Sequence, residues 1–267
     1  MIKVIWLSLI CILWLSGCSS APERDYQVTR LKRQAAAWLA QGDNQRQQGK
    51  YQLALRYYDN AYRYASRRHD AQQMGLARLK QAAVYISQGQ TTQAENKIAE
   101  AAMFDKNERT DLKPAIDFMH SKLAFARGQQ AQALALVEQL QIQFADDVER
   151  RIYYRWVGWQ YAQLRINWLQ AEQDIQALLK LKADKALNNI EVLSFVVYHN
   201  LVWRIATEQS KVPTALDIAI THFASLELTN RLIECFEIAA KYYNDAGDLD
   251  RALYYQARFT QLRRFMN

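Results

Sequence analysis

The sequence predicts an all-α protein, an α-solenoid of about six helical hairpins, and three observations predict it. The 267 residues include only 3 prolines, while Ala, Gln, Leu and Arg, all good helix formers, are abundant. No alternation of apolar and polar residues lasts long enough to argue for a sheet. A segment of the chain also recurs. "GKYQLALRYYDNA" (Gly49 to Ala61) returns as "GQTTQAENKIAEA" (Gly89 to Ala101), as "GQQAQALALVEQL" (Gly128 to Leu140) and as "GDLDRALYYQARF" (Gly247 to Phe259). Each copy opens on Gly and carries Ala five residues later, at Ala54, Ala94, Ala133 and Ala252. Two weaker copies, "INWLQAEQDIQALL" and "SKVPTALDIAITHF", add Ala171 and Ala215, so that successive alanines stand 40, 39, 38, 44 and 37 residues apart. Self-similarity at such a period marks a repeat architecture, in which each unit buries its apolar face against its neighbours.

The chain begins differently. Met1 to Gly17 holds a single charge, Lys3, ahead of an apolar run from Val4 to Leu15 interrupted only by Ser8. A membrane-spanning helix needs about 20 apolar residues. This run is shorter and is followed by the small residues Ser16 and Gly17, the layout of a signal peptide over residues 1–17. Leu15-Ser16-Gly17-Cys18 resembles the lipobox of bacterial lipoproteins. That resemblance implies a diacylglycerol on the Cys18 sulfur, cleavage before Cys18, and acylation of the new amino group with a chain such as palmitate. Loss of Lys3 lowers the formal charge from +7 to +6. Ser19, where aspartate would hold an enteric-type lipoprotein in the inner membrane, implies the periplasmic face of the outer membrane. Anchoring in the inner membrane is the alternative. Residues 18–30, with the polar "SSAPERDYQ", read as a lipidated tether, and residues 31–267 as the repeat domain.

The repeat units resemble tetratricopeptide (TPR) repeats. Trp38 and Gly42 precede the turn at Gly49-Lys50-Tyr51, and Ala54, Tyr58 and Ala61 follow it. In the last unit Phe236, Ala240 and Tyr243 precede Gly247-Asp248, and Ala252 follows. The small residues let two helices approach, and the turn glycine suits the left-handed conformation that ends many helices. Pro213 sits where a second helix should start, a position that tolerates proline. The fourth and fifth units carry Ile166 and Ser210 at the turn-glycine position. The spacing also exceeds the family's 34 residues, which implies longer helices or loops.

Catalytic and metal-binding signatures are missing from the sequence. The histidines are His69, His120, His199 and His222, none at metal-ligand spacing, and no His-Glu-x-x-His, Gly-x-Ser-x-Gly or phosphate-cradling glycine loop occurs. "NDAGDLD" (Asn244 to Asp250) has the wrong ligand spacing for calcium and reads as a helix-hairpin turn with an aspartate N-cap. Of the cysteines, Cys11 would leave with the signal peptide and Cys18 would carry lipid, while Cys235, in "LIECFEIAA", reads as a small buried hydrophobe. A non-enzymatic protein without cofactor or metal is expected.

In TPR proteins the first helix of each hairpin lines a groove for a peptide or partner helix. Mapped from the alanines, the groove candidates are Arg46, Lys122, Phe125, Tyr153, Trp156, Gln160, Asn200, Arg204, Lys241 and Asn244. They place aromatic residues in the middle with Lys, Arg and Asn on either side, and aromatic and Arg anchors typify binding hot spots. Core packing between hairpins is an equal reading for Trp156 and the favoured one for Trp159 and Trp168. The last helix has no successor to cover it, so Tyr255, Phe259 and Leu262 are expected to form a docking or dimerisation face. The expected function is that of a lipid-anchored, periplasm-facing adaptor that binds a protein or peptide and helps to assemble or position an envelope complex. The alternative is a sensor or regulatory subunit that takes a small peptide or peptidoglycan fragment. Nucleic acid is not an expected partner.

Overall fold

The computed structural model describes residues 29–108, 110–207 and 210–266. The expected signal peptide, residues 1–17, and Cys18 lie outside these residues. The described chain forms twelve helices and no strand: α1 (Arg30–Gln47), α2 (Tyr51–Ser66), α3 (Ala71–Ser87), α4 (Thr91–Glu108), α5 (Lys113–Ala126), α6 (Gln130–Gln143), α7 (Val148–Tyr161), α8 (Trp168–Ala183), α9 (Ile190–Ala206), α10 (Val212–Ser225), α11 (Thr229–Asp245) and α12 (Leu249–Met266). Consecutive helices pair as hairpins, as in α1 with α2, α5 with α6, α9 with α10 and α11 with α12, and the fold is the all-α helical-repeat class that the recurring segment predicts. None of the described helices is long and apolar enough to cross a membrane.

Every one of the six repeat alanines is the fourth residue of the second helix of a hairpin. Ala54, Ala94, Ala133 and Ala171 are fully buried, and Ala215 and Ala252 are 2% and 7% exposed. The amide of each donates to the carbonyl four residues back, closing the first turn of its helix at 2.9–3.1 Å. In the first unit this close packing extends to Gly42, where an added Cβ would lie 2.4 Å from a ring carbon of Tyr58. Tyr58 is itself fully buried, and its hydroxyl donates to Asp43 Oδ1 at 2.8 Å. Burial, helped by that carboxylate, pushes the phenol's pKa up, so it remains a donor.

The turns explain the variable spacing. Gly49, Gly89, Gly128 and Gly247 all have φ between 71° and 76°. The next residue donates to the carbonyl five positions back (Lys50 to Gln45, Gln90 to Tyr85, Gln129 to Ala124, Asp248 to Tyr243). This is the glycine-ended helix stop that the sequence indicates. Ile166 and Ser210 do not inherit the glycine's conformation. In the fourth unit Gln163 and Leu164 take positive φ, and in the fifth Lys211 does, at 68°. The wide step from Ala171 to Ala215 comes from loops: 184–189 and 207–211 there, against 67–70 and 88–90 between Ala54 and Ala94.

The chain divides into two compact units. One comprises the described residues up to Val84 with Ala99–Leu112, and the other Tyr85–Ile98 with Lys113 onward. In the first, Ala54, Tyr58 and Val84 pack with Leu39, Tyr51 and Leu55. In the second, the largest core gathers Trp156, Ala171, Leu178, Leu193, Val196, Leu201, Ala215, Leu216, Phe223 and Cys235. Cys235 is fully buried, and burial pushes its thiol up to about 12.

Two buried polar fixtures lock neighbouring repeats of the second unit. Glu149 of α7, 6% exposed, accepts from the backbone amides of Asn188 and Asn189 at 2.7 Å each and from Asn188 Nδ2 at 3.1 Å. Asn189 caps α9, so a carboxylate one repeat earlier holds the start of that helix. His222 of α10, 3% exposed, meets Ser194 Oγ of α9 at 2.9 Å through Nε2 and Lys182 Nζ of α8 at 3.4 Å through Nδ1. Ser194 donates onward to the Ile190 carbonyl. Lys182 can only donate, so the network assigns the neutral imidazole with its proton on Nε2. Burial, and then the adjacent Lys182, push its pKa from 6.5 down to about 4.

Glu149→Ala removes three hydrogen bonds from the exposed Asn188 and Asn189. It should cost about 1–2 kcal/mol in urea unfolding and speed amide exchange in the first turn of α9, with Glu149→Gln losing less. For His222 the unfolded chain binds the proton more tightly than the folded one. Its contribution is therefore whole above pH 6.5, falls as pH drops from 6.5 to 4, and is flat below. The loss across that window is about 3 kcal/mol, and His222→Gln should flatten the measured slope. Backbone conformation predicts opposite signs at two exposed turns. Gly89→Ala should destabilise by about 1 kcal/mol, and Glu227→Gly, at φ 54°, should stabilise by up to about 1 kcal/mol in thermal unfolding.

Candidate functional site: an aromatic face on the first helices

Within the second unit, the first helices of successive hairpins carry a row of rings. Phe118 of α5 meets Tyr153 of α7 edge-on, centroids 5.5 Å apart. Tyr153 meets Phe195 of α9 at 5.1 Å. Phe195 lies 4.1 Å from His199, which in turn is 5.4 Å from Tyr198. All five rings are partly exposed. Cations sit at both ends of the row: Lys122 Nζ lies 4.6 Å over the Phe118 ring, and the Arg231 guanidinium of α11 lies 4.5 Å over Tyr198. Edge-to-face contacts of this kind fix the rings in place while leaving part of each surface available.

The electrostatics suit an apolar, cation-flanked surface. His199 Nδ1 donates to the Phe195 carbonyl at 2.8 Å, and burial pushes the imidazole below its ordinary 6.5. Burial pushes the Tyr198 phenol up, with Glu234 adding to the shift. Both groups are thus uncharged at neutral pH, and at the α11 end the Arg231 guanidinium is paired with Glu234 at 2.5 Å.

The residues marked as groove candidates separate into distinct places. Tyr153 and Lys122 belong to the row. Phe125 is 39% exposed and stacks on Tyr161 at 4.3 Å. Gln160 is exposed at the end of α7, and Lys241 and Asn244 are exposed on α11. Arg46, in the last turn of α1, lies in the first unit.

Trp156, Asn200 and Arg204 do not line this face. Trp156 is fully buried, stacks on Trp203 at 5.3 Å, and donates Nε1–H to Asp174 Oδ2 at 3.0 Å. The same carboxylate pairs with Arg155, yet burial still pushes its pKa up. Trp156 is a core residue because its polar edge has a buried partner that no reading of its own helix reveals. Asn200 and Arg204 are each 3% exposed. At 100° per residue Asn200 lies about 140° around α9 from Phe195. Both side chains turn away from the row, toward α8 and α10. Trp159 and Trp168, expected inside, are partly buried against the same core.

The row also contains residues the sequence did not mark. Phe195, Tyr198, His199 and Arg231 sit in the unit with the widest repeat spacing or next to it, where register carried over from other units fails. A signal was available in "SFVVYHN", whose Phe195, Tyr198 and His199 share an i, i+3, i+4 stripe.

The C-terminal face is likewise rotated from the expected one. Tyr255, Phe259 and Leu262 are partly buried, and Tyr255 stacks on Tyr243 of α11 at 5.6 Å. The exposed apolar residues of α12 are Leu249, Leu253, Tyr254 and Phe265, at 62%, 68%, 54% and 79%. The stripe that looked unpartnered is the one that meets α11. Among the described residues no group of His, Cys, Asp and Glu side chains is assembled to hold a metal ion.

No protein-family model and no curated protein matches the chain. Solved structures do. The crystal structure of BtubC (BKLC) from P. vanneervenii superposes with a TM-score of 0.56 at 18% identity, covering 90% of this chain and 93% of that one. A Rap protein complexed with competence and sporulation factor superposes with a TM-score of 0.54 at 14% identity, covering 86% of this chain and 75% of that one. At these identities the likeness is one of fold, and this chain has the helical-repeat fold that both share.

Proposed function

We propose that this protein is a non-enzymatic adaptor that takes a protein or peptide partner on the aromatic face of α5, α7 and α9, and that acyl chains on Cys18 hold it at the periplasmic side of the outer membrane. The observation that carries the binding half is the partly exposed row Phe118–Tyr153–Phe195–His199, with Lys122 and Arg231 at its ends. Rigid rings offer large contact area at small entropic cost, which favours a segment with an apolar face. The Rap structure, solved with competence and sporulation factor bound, supports a binding role for this fold.

The anchor half rests on Lys3, the apolar run to Leu15, and Leu15-Ser16-Gly17-Cys18. One acyl chain binds a membrane only marginally, whereas several on one residue hold it there, so such a protein would act where it is tethered. A partner met on that face would be positioned at the envelope, as an assembly factor requires. Leu253 and Phe265 of α12 offer a second surface, for a further chain or a second copy.

Crosslinked envelopes carrying the tagged full chain should yield one dominant partner. The Lys122→Glu, Arg231→Glu double variant should reduce its capture at least tenfold, and Leu253→Ser should not. Capture unchanged by the charge reversal would overturn the aromatic face as the partner site. Mass spectrometry of the mature N-terminus tests the anchor separately. A triacylated Cys18 is expected, and an unmodified Cys18, or an intact Met1 in membrane fractions, would contradict it.

A further inference from the structure

A cavity of about 320 Å³ opens between α8 and α10, floored by α9. Its apolar wall includes Ile175, Ala215 and Ile218, and its polar groups include Glu172, Asn200, Arg204 and Lys211. It lies on the other side of α9 from the aromatic row, so it is a separate site and does not depend on the partner-binding reading.

The polar groups are arranged and charged unequally. Arg204 is held by four contacts. Nε donates to Asn200 Oδ1 at 3.0 Å, Nη1 to the Ser210 carbonyl at 2.7 Å and Nη2 to Glu172 at 3.0 Å, while the guanidinium lies 4.4 Å over the Trp168 ring. A guanidinium has five N–H donors, so one remains on each terminal nitrogen. The bond to Oδ1 also fixes the Asn200 amide, whose NH₂ has no hydrogen-bond partner among the described residues although the side chain is nine-tenths buried and lines the cavity. Lys211 reaches Glu172 at 2.8 Å from a residue held at φ 68°. Among the described lining residues, two cations, Arg204 and Lys211, face one carboxylate, Glu172.

We propose that this cavity binds a small monoanionic carboxylate with an apolar side group, of amino-acid to dipeptide size. The carboxylate would take the free N–H groups of Arg204 and Asn200 and share Lys211 with Glu172, and the side group would lie on Ile175 and Ile218. Charge-assisted donors of this geometry favour a carboxylate over a neutral amide. A cavity of this size with convergent polar groups on an apolar lining is typical of small-ligand sites.

The test is isothermal titration of the full chain with acetyl-Ala-Leu, with its C-terminal amide, and with acetate. The free acid should bind saturably, and the amide and acetate at least tenfold more weakly. The side chains of Lys211 and Glu172 are 56% and 37% exposed, so both can be changed without opening the core. Lys211→Met should weaken the free acid about fivefold or more. Glu172→Gln, which removes the competing anion, should tighten it about threefold. Equal affinity for acid and amide, no saturable binding, or a shift in the same direction for both variants would overturn the proposal. A longer peptide ending in Ala-Leu separates two sources of the same chemistry. Binding as tight as the dipeptide's identifies a peptide terminus, and binding of the dipeptide alone identifies a free small acid.

Discussion

The structure depends on six alanines. In every hairpin the fourth residue of the second helix is buried to 7% exposure or less. At that point the second helix has completed its first turn, and its amide bonds back to the residue that ended the loop. A larger side chain there would push the paired helices apart where the turn gives them least freedom. The consequence is geometric. With the start of each second helix pinned against its partner, the remaining residues of the hairpin face outward in a fixed phase, and neighbouring hairpins can meet them.

Polar contacts then reach one repeat along the chain. Lys80 bonds Asp43, the Asp111 amide bonds Gln72, Asn188 and Asn189 bond Glu149, Lys211 bonds Glu172, and Lys182 meets His222. The separations are 37, 39, 39, 40, 39 and 40 residues, close to the spacing of the alanines themselves. Glu149 and His222 are the buried members of this set, and buried polar groups cost free energy unless they are paired, so their contacts fix which faces meet in the second unit. The aromatic row and the cavity are products of the same phase. One lies where first helices stand side by side with rings left half open, the other where α8 and α10 part over α9.

The backbone was legible to the extent that steric exceptions mark it. A glycine and an alanine five residues on announce a turn and a close approach whatever surrounds them, and four of the six hairpins carry that pair. Where the turn used Leu164 or Lys211 in place of glycine, the alanine still gave the position. Side-chain direction was less legible because each residue turns a helix by 100°, and spacings from 37 to 44 residues do not preserve phase. Arg204 and Asn200 were thus assigned to the face opposite their own, and the open side of α12 was placed on Tyr255 rather than Tyr254. Trp156, left evenly between groove and core by the sequence, is decided for the core by contacts of a different kind. Its burial depends on Asp174 and Trp203, partners that only the folded chain brings to it.

The measurement that addresses the alanine constraint most directly is the unfolding free energy of two substitutions in one helix. Ala133 and Ala135 of α6 share a helix and a residue type, but the first is fully buried and the second exposed. Ala133→Leu should cost about 1–3 kcal/mol through overpacking, while Ala135→Leu should stay within about 0.5 kcal/mol of the parent. Equal effects at the two positions would contradict the account.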